Sequence, residues 1–240
     1  MRLKYTLFFL FLLSFFVENA IAQHYEHTTL WAKTTITTPL SKNWDAQFEY
    51  VHRSQNNFRV NMWNPLNHES FEEPRLWFYF KQKNYTIQLN PITYFYSEAL
   101  LGKEADFDTA PNNIWQSVVG LEVRQTASKW LFKERFQYEY RWLQSLNYVP
   151  IGRLRLRGTV QYQALKHTKL QVFNEVFLSA PPHKLANNFD QNWFAVGVIH
   201  QITDRINVDL SLMRNYRQRA NGLEFDHETG LNGGVNFRIF

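Results

Sequence analysis

Alternation of apolar and polar residues with a period of two recurs along most of this chain, and it constrains the fold more than any other feature. Within 130–142, one face is mainly aromatic, and the other carries Lys133, Arg135, Gln137, Glu139 and Arg141. The aromatic face consists of Trp130, Phe132, Phe136, Tyr138, Tyr140 and Trp142. The same pattern recurs in 153–164 and 206–217. Because successive side chains of a β-strand point to opposite faces, this period indicates strands with one apolar and one polar face.

The first residues follow a different pattern. A largely apolar run over 5–17 follows two basic residues and precedes the small-residue segment 20–22. This order predicts a secretory signal peptide over 1–22 and an exported β-barrel domain over 23–240. The alternative is an N-terminal membrane anchor, but the apolar run is shorter than the roughly 20 residues that a spanning helix needs. No later segment has 18 consecutive apolar residues, so we expect no other spanning helix.

Eleven segments of the chain are clear strand candidates. They are 27–38, 44–53, 75–83, 86–96, 114–125, 130–142, 153–165, 170–179, 191–202, 206–218 and 228–240. Short polar breaks alternate with longer connections that contain Asn and Pro, as in outer-membrane barrels. Bacterial single-chain barrels have an even number of strands, with both chain ends at the side of the short turns. We therefore expect 57–64 to be a further strand, which gives twelve; the alternative places 57–64 in a loop and leaves ten.

These features predict an all-β fold, an antiparallel transmembrane β-barrel in the outer membrane of a Gram-negative bacterium. A soluble β-sandwich is the alternative, since its strands also alternate. Tryptophans near the strand ends favour the barrel, because interfacial aromatic girdles need them there. They are Trp31, Trp44, Trp77, Trp115, Trp130, Trp142 and Trp193. The mean hydropathy of −0.43 then averages an apolar outer wall with a charged interior.

The predicted inward face is rich in charge, and arginine dominates it. The residues expected to form a charge network or an anion path are Arg135, Glu139, Arg141, Arg153, Arg155, Arg157, Glu175 and Arg217. One interpretation is a set of cross-strand Arg–Glu pairs that makes the barrel rigid. The other is a narrow aqueous path for small anions, in which Arg153, Arg155 and Arg157 follow one another about 7 Å apart.

No motif in the sequence indicates catalysis or a cofactor. Eight histidines are present and no cysteine, and none of the spacings corresponds to a zinc, calcium or phosphate-binding motif. Two histidines, His227 and His183, are expected near the outer rim, where carboxylates or a hydroxyl lie close in sequence. Those neighbours are Asp226, Glu228, Ser179 and Asp190. We expect no catalytic, cofactor-binding or metal-ligating residue, and hence no cofactor.

The C-terminal strand and the overall charge indicate the partners. The chain ends in a strand that closes on Phe240, which resembles the signal recognised by the barrel assembly machinery. The expected partners are therefore this machinery and outer-membrane lipid, with a small solute as cargo. A formal net charge of +5 in an exported chain does not indicate nucleic acid.

One stretch of the chain has a recognisable pattern. It consists of Asn174, Glu175 and Phe177, followed after a loop by Phe189, Asp190, Gln191 and Asn192. With Lys42-Asn43-Trp44 and the charged strand 134–141, it resembles the exported β-barrel family catalogued as domain of unknown function 2490. The resemblance covers nearly all of 23–240. It implies an outer-membrane barrel and brings no assigned reaction, substrate or catalytic residue.

Together these features predict a non-enzymatic role, either as a structural barrel or as a narrow pore for small anionic solutes. The competing hypothesis is an outer-membrane lipid-modifying enzyme with its active site at the rim, because small barrels also include such enzymes. A Ser–His or Asp–His pair within hydrogen-bond reach would be its minimum requirement.

Overall fold

The computed structural model describes residues 23–182 and 188–239, and within these ranges the chain forms eleven β-strands and two short 3-10 helices. The strands are β1 (Gln23–Pro39), β2 (Trp44–Gln55), β3 (His68–Lys81), β4 (Tyr85–Ser97), β5 (Asn112–Ala127), β6 (Trp130–Leu143), β7 (Pro150–Leu165), β8 (Thr168–Ala180), β9 (Phe189–Thr203), β10 (Ile206–Gln218) and β11 (Glu224–Arg238). The 3-10 helices are Glu104–Asp108 and Gln144–Leu146. No helix in the described ranges is long and apolar enough to cross a membrane. The predicted signal peptide, His183 and Phe240 lie outside the described residues.

The strands form one closed barrel, in which each strand pairs with its neighbours in sequence. All these pairs are antiparallel except the closing one, where β1 and β11 run parallel from the pair Gln23–Glu224 to the pair Thr37–Arg238. The two backbones approach closely at Gly230. A Cβ atom on this residue would lie 2.6 Å from the carbonyl oxygen of Thr29, so the seam requires glycine at this position.

The expected strand at 57–64 is absent, and the predictions of twelve or ten strands are both wrong. This segment forms turns in the connection between β2 and β3. The Oδ1 atom of Asn57 accepts a hydrogen bond from the backbone N–H of Arg59 at 3.0 Å, and Oδ1 of Asn61 accepts one from the N–H of Trp63 at 2.9 Å. Asparagine side chains that bond two residues ahead favour turns over strands.

The even-number rule led to the wrong count, because it assumes that the closing pair is antiparallel. With eleven strands, the two ends of the barrel chain lie at opposite sides. Gln23 lies at the end formed by the β2–β3, β4–β5, β6–β7, β8–β9 and β10–β11 connections, here called the long-loop end. Arg238 lies at the opposite, short-turn end. The expectation that both ends lie beside the short turns is therefore also wrong.

The outer wall of the barrel is apolar in its middle and aromatic towards its ends. Exposed aliphatic and phenylalanine side chains from most strands form the middle band. They include Phe48, Leu76, Leu89, Val119, Leu121, Phe136, Leu154, Leu170, Val196, Leu210, Leu212 and Leu231. Trp44 and Trp130 lie outside near the short-turn end, and Trp115 and Tyr94 pack together outside near the long-loop end.

A register shift in β4 changes which residues face the interior. Thr86, Gln88 and Asn90 are buried on the inner face, and after the shift Thr93 and Phe95 are the buried residues. Pro91 lies within the shift and has no N–H to donate to the ladder, which explains the irregularity. A side-chain hydrogen bond spans the irregular segment, since the Oδ1 atom of Asn90 accepts from Oγ1 of Thr93 at 2.9 Å.

Candidate functional site: the lumen of the barrel

Glu175 on β8 is the centre of a charge cluster on one wall of the lumen. Its carboxylate accepts hydrogen bonds from Arg135 at 2.7 Å, from Arg155 at 2.9 Å and from Nε of Arg157 at 2.8 Å. The side chain is fully buried. The β6–β7 and β7–β8 registers place these groups together, since Arg157 lies directly opposite both Arg135 and Glu175.

Arg155 joins this group to a second buried carboxylate. Its NH1 donates to Glu139 at 2.8 Å, and Glu139 also accepts a hydrogen bond from Nε of Arg153 at 2.6 Å. The other side of Arg153 donates to Asp190 at 2.9 Å. Four arginines thus share three carboxylates across β6, β7, β8 and the start of β9. We call this set the β6–β8 cluster.

Aromatic rings cover three of the four arginines of the β6–β8 cluster, namely Arg153, Arg155 and Arg157. The guanidinium carbon of Arg155 lies 4.5 Å from the centre of the Phe177 ring, and that of Arg157 lies 4.2 Å from the centre of Phe173. Such contacts add cation–π attraction and keep water away from the ion pairs. A buried charge needs this degree of pairing, because its lost hydration is otherwise uncompensated.

The opposite wall of the lumen carries a smaller charge group around Glu73. This buried carboxylate pairs with Arg75, and it accepts a hydrogen bond from Nε2 of Gln116 at 3.1 Å. Arg75 also donates to Glu49 at 3.1 Å. Glu73 was not among the residues expected on the inward face, although it lies in phase with Arg75 on the same strand.

A third charge group lies near the β1–β11 seam. Buried Glu228 accepts a hydrogen bond from Asn215 at 2.6 Å and lies 3.5 Å from Arg53 and 3.7 Å from Arg217. Nε of Arg217 donates to Gln191 at 3.3 Å. Arg217 therefore belongs to a different group from Arg135, Arg153, Arg155 and Arg157.

Aromatic side chains cross the middle of the lumen. Trp31 packs against Trp193 with 5.4 Å between ring centres and against Phe71 at 5.9 Å, and Trp193 packs against Phe177 at 4.8 Å. The assignment of Trp31, Trp77 and Trp193 to an outer girdle is therefore wrong. These residues share the strand phase of charged inward residues, so periodicity rather than closeness to a strand end indicates their side.

Two cavities lie along the lumen and have four lining residues in common. The larger cavity, of about 510 Å³, lies towards the long-loop end, and the smaller, of about 180 Å³, lies towards the short-turn end. The shared residues are Trp31, Arg75, Arg155 and Trp193. We call the larger cavity the vestibule and these four residues the constriction.

The β4–β5 connection covers part of the vestibule mouth. Asp106 in its 3-10 helix accepts a hydrogen bond from Arg219 at 2.8 Å, and Arg219 also donates to Asp226 at 2.6 Å. A hydrogen bond to Glu224 raises the pKa of Lys103 in the same connection. We call this connection the strap, since it reaches the β10–β11 rim across the barrel.

Arg141 on β6 differs from the other arginines of the lumen. It lines the vestibule with only 9% of its surface exposed. Within the described residues it makes no hydrogen bond or ion pair, and its Nε atom has no partner. Its direct neighbours across the strands are Gln116 on β5 and Ile151 on β7, which carry no charge.

The residues that carry the family resemblance meet around the start of β9. Nδ2 of Asn192 donates to Oδ1 of Asn174 at 2.7 Å and to the backbone oxygen of Glu175 at 3.2 Å. Oε1 of Gln191 accepts a hydrogen bond from Nε1 of Trp193 at 3.1 Å. Glu175 and Asp190 belong to the β6–β8 cluster, and Phe177 packs on Arg155. The ring centre of Phe189 lies 5.9 Å from that of Tyr216.

The rim histidines make contacts that the sequence did not indicate. Asp226 pairs with His27 at 2.8 Å rather than with its neighbour His227. His227 lies 3.2 Å from Glu26 and 3.2 Å from Arg214. Ser179 lies in β8, Glu228 lies in the charge group near the β1–β11 seam, and Asp190 contacts Arg153. The rim candidates therefore do not form one group.

One set of side chains on the outer wall has ligand atoms close enough for a metal ion. Nδ1 of His52 lies 3.6 Å from Glu69 and 3.5 Å from Glu72. Both glutamates are exposed, and Glu72 accepts a hydrogen bond from Tyr50. Exposed acidic groups are common in proteins that bind no metal, and this set lies outside the lumen.

Comparison with solved structures finds a porin and an outer membrane protein. The NanC porin, in a rhombohedral crystal form, is 12% identical, with a TM-score of 0.51 over 89% of this chain and 99% of that chain. OmpT, an outer membrane protein of Vibrio cholerae folded in vitro, is 10% identical, with a TM-score of 0.38 over 76% and 57%. At this identity the likeness to NanC shows the fold alone, a closed β-barrel. Comparison with curated proteins finds no match.

A family comparison is more specific than these structural likenesses. Residues 28–226 match the family described as "Protein of unknown function (DUF2490)". The match extends from β1 into β11 and includes every residue of the β6–β8 cluster. It confirms the resemblance seen in the sequence, and the chain therefore belongs to the DUF2490 family.

Proposed function

We propose that this protein is an integral outer-membrane barrel that passes small anionic solutes through a narrow lumen. The observation that carries the proposal is the pair of lumen cavities that meet at the constriction of Trp31, Arg75, Arg155 and Trp193. Barrels of eight strands are filled by side chains, whereas those of 16–18 strands enclose wide aqueous channels. Eleven strands lie between these cases, which is consistent with a narrow path.

The outer wall supports the location in a membrane. Its middle band of exposed aliphatic side chains would be unfavourable in water, and a lipid bilayer would cover it. The aromatic residues at both ends fit the two interfaces of a bilayer. The long-loop end would then face outward and the short turns would face the periplasm. Export by residues 1–22 and folding by the barrel assembly machinery complete this proposal.

The charge of the vestibule supports a preference for anions. Seven arginines line it, against three carboxylates, and Arg141 is the one of the seven that contacts no described carboxylate. The arginines are Arg53, Arg75, Arg141, Arg153, Arg155, Arg217 and Arg219. Rings of positively charged side chains are the usual basis of anion selectivity in pores. Two of the seven, Arg75 and Arg155, also belong to the constriction.

Single-channel recording in planar bilayers tests the path. The Trp193→Ala substitution removes one of the two tryptophans that both cavities share, so we expect a higher conductance than in the wild type. Trp115→Ala is the matched control, because Trp115 lies on the outer wall. An equal rise in both variants would indicate a general loosening of the barrel and would contradict the proposed path.

The reversal potential in a salt gradient tests the preference for anions. The wild type is expected to favour chloride over potassium. Arg75→Gln leaves Glu73 and Glu49 at the constriction without their shared cation, so the chloride preference should fall. If neither the wild type nor Trp193→Ala carries current in a bilayer where a reference porin conducts, the proposed function is wrong.

A further inference from the structure

We propose that Arg141 is a binding residue for an organic carboxylate, which the vestibule holds by its charged group and by an apolar body. Arg141 is the arginine of the vestibule whose charge no described group neutralises by direct contact. The inference rests on the proposed function in one respect, because the same vestibule is the mouth of the proposed path. It adds a site, a residue and a ligand class.

The unpaired state of Arg141 is unusual for its degree of burial. A guanidinium group that loses most of its hydration without gaining a partner destabilises the folded protein. The other vestibule arginines show how this chain normally neutralises such a charge, since Arg153 and Arg155 each contact two carboxylates. A ligand anion would provide the missing partner at Arg141.

The neighbouring polar group is also incompletely bonded. Gln116 lies directly across from Arg141 on β5, and its amide nitrogen is committed to Glu73. Its Oε1 atom is buried and has no partner. Two facing residues that line the vestibule therefore each have a buried polar atom without a hydrogen-bond partner, and such groups are uncommon in folded proteins.

The planar shape of the guanidinium group favours a carboxylate as the ligand. Guanidinium presents a planar fork of donors that matches the two oxygens of a carboxylate or a phosphate. A phosphate carries more charge and is best held by several free cations. Here Arg153 and Arg155, which also line the vestibule, are already bonded to Glu139. One unpaired arginine is better matched to one negative charge.

The surroundings favour an apolar body on the ligand. Leu143 follows Arg141 by two positions on the same face, Ile114 lies across from Leu143, and Phe95 lies across from Ile114. All three line the vestibule. Pockets that combine an apolar lining with one fixed charge bind amphipathic anions. A small aromatic acid such as benzoate has both features.

Isothermal titration of the full barrel in neutral detergent micelles tests the site, with heats of the protein-free micelles subtracted. The probes are benzoate, benzamide and inorganic phosphate. We expect benzoate to bind, and benzamide and phosphate to bind at least about tenfold more weakly, because each lacks the charge or the apolar body. Phosphate binding as tight as that of benzoate would overturn the proposal, and so would the absence of benzoate binding.

Two substitutions assign the binding to this residue. Arg141→Gln should weaken benzoate binding by about tenfold or more, since a hydrogen bond to a charged group is lost. Lys133 lies on the same face of β6 as Arg141, but nearer the short-turn end. Lys133→Gln removes one positive charge, as Arg141→Gln does, and should leave benzoate binding unchanged. Equal weakening in both variants would overturn the assignment. Unchanged heat-modifiable migration on gels verifies that each variant is folded.

The titration also separates this inference from the proposed path, because binding in micelles requires no current. A barrel that binds benzoate through Arg141 but carries no current would retain the site and contradict the path. A barrel that conducts but does not bind benzoate would retain the path and contradict the site.

Discussion

Arg155 and Arg141 line the same vestibule, yet their surroundings are opposite. Arg155 donates to Glu139 and Glu175 and stacks on Phe177, whereas Arg141 has no partner among the described residues. Both are more than nine-tenths buried. The arginines of this lumen therefore differ in role. Most are neutralised by carboxylates of the barrel wall, whereas the charge of Arg141 is available to a ligand.

The largest effect should follow from removal of Glu175. Glu175→Ala leaves Arg135, Arg155 and Arg157 without their shared carboxylate, and loss of one partner from a buried ion pair costs about 3–5 kcal/mol. We expect a free energy of unfolding lower by this amount, measured by tryptophan fluorescence in denaturant.

Glu104→Ala is the control for this experiment. Glu104 is an exposed carboxylate of the strap, and a hydrogen bond from Arg59 lowers its pKa. Exposed pairs contribute little to stability, so its unfolding curve should coincide with that of the wild type. If Glu175→Ala were equally silent, the β6–β8 cluster would have no structural role.

Removal of Arg155 should have a smaller effect than removal of Glu175. After Arg155→Ala, Glu139 still contacts Arg153, and Glu175 still contacts Arg135 and Arg157. No carboxylate loses all its partners, so we expect a loss of about 2 kcal/mol, comparable to a hydrogen bond to a charged group. The same unfolding assay measures it. A loss larger than that of Glu175→Ala would reverse the proposed order.

Arg219 is intermediate, since it is paired like Arg155 but lies at the rim. Arg219→Ala removes the contacts between Arg219 and Asp106 of the strap and leaves Asp226 bonded to His27. Local opening of the strap should become easier by about 1.4 kcal/mol, so trypsin should cleave after Lys103 about tenfold faster. Equal cleavage rates would show that other contacts hold the strap.

The sequence predicted the barrel and its inner face because both depend on a local period of two. Each of Arg135, Glu139 and Arg155 lies on the polar side of its strand, and the described contacts include the pair of Arg155 with Glu139 on the neighbouring strand. The same period of two places Trp31 and Trp193 on the inner face, although their closeness to strand ends indicated an outer girdle.

Features that depend on how the barrel closes could not be predicted in this way. The parallel pairing of β1 with β11 is a contact between the two ends of the chain, and no local pattern specifies it. The isolation of Arg141 depends on the register of three strands, which places Gln116 and Ile151 beside it instead of an acid. One residue of slip would change these neighbours.

The smallest effect on stability should follow from replacement of Arg141, although it is as buried as Arg155. Arg141→Met removes a guanidinium group that gains no described partner and leaves no carboxylate unpaired. Replacement of a poorly compensated buried charge by an apolar side chain of similar length is neutral or favourable. We therefore expect the free energy of unfolding in ligand-free micelles to stay the same or rise by about 1 kcal/mol. Benzoate should stabilise the wild type against denaturant and leave Arg141→Met unaffected, since only a ligand of the folded state shifts this equilibrium. A loss of stability as large as that of Arg155→Ala would mean that Arg141 also belongs to the wall.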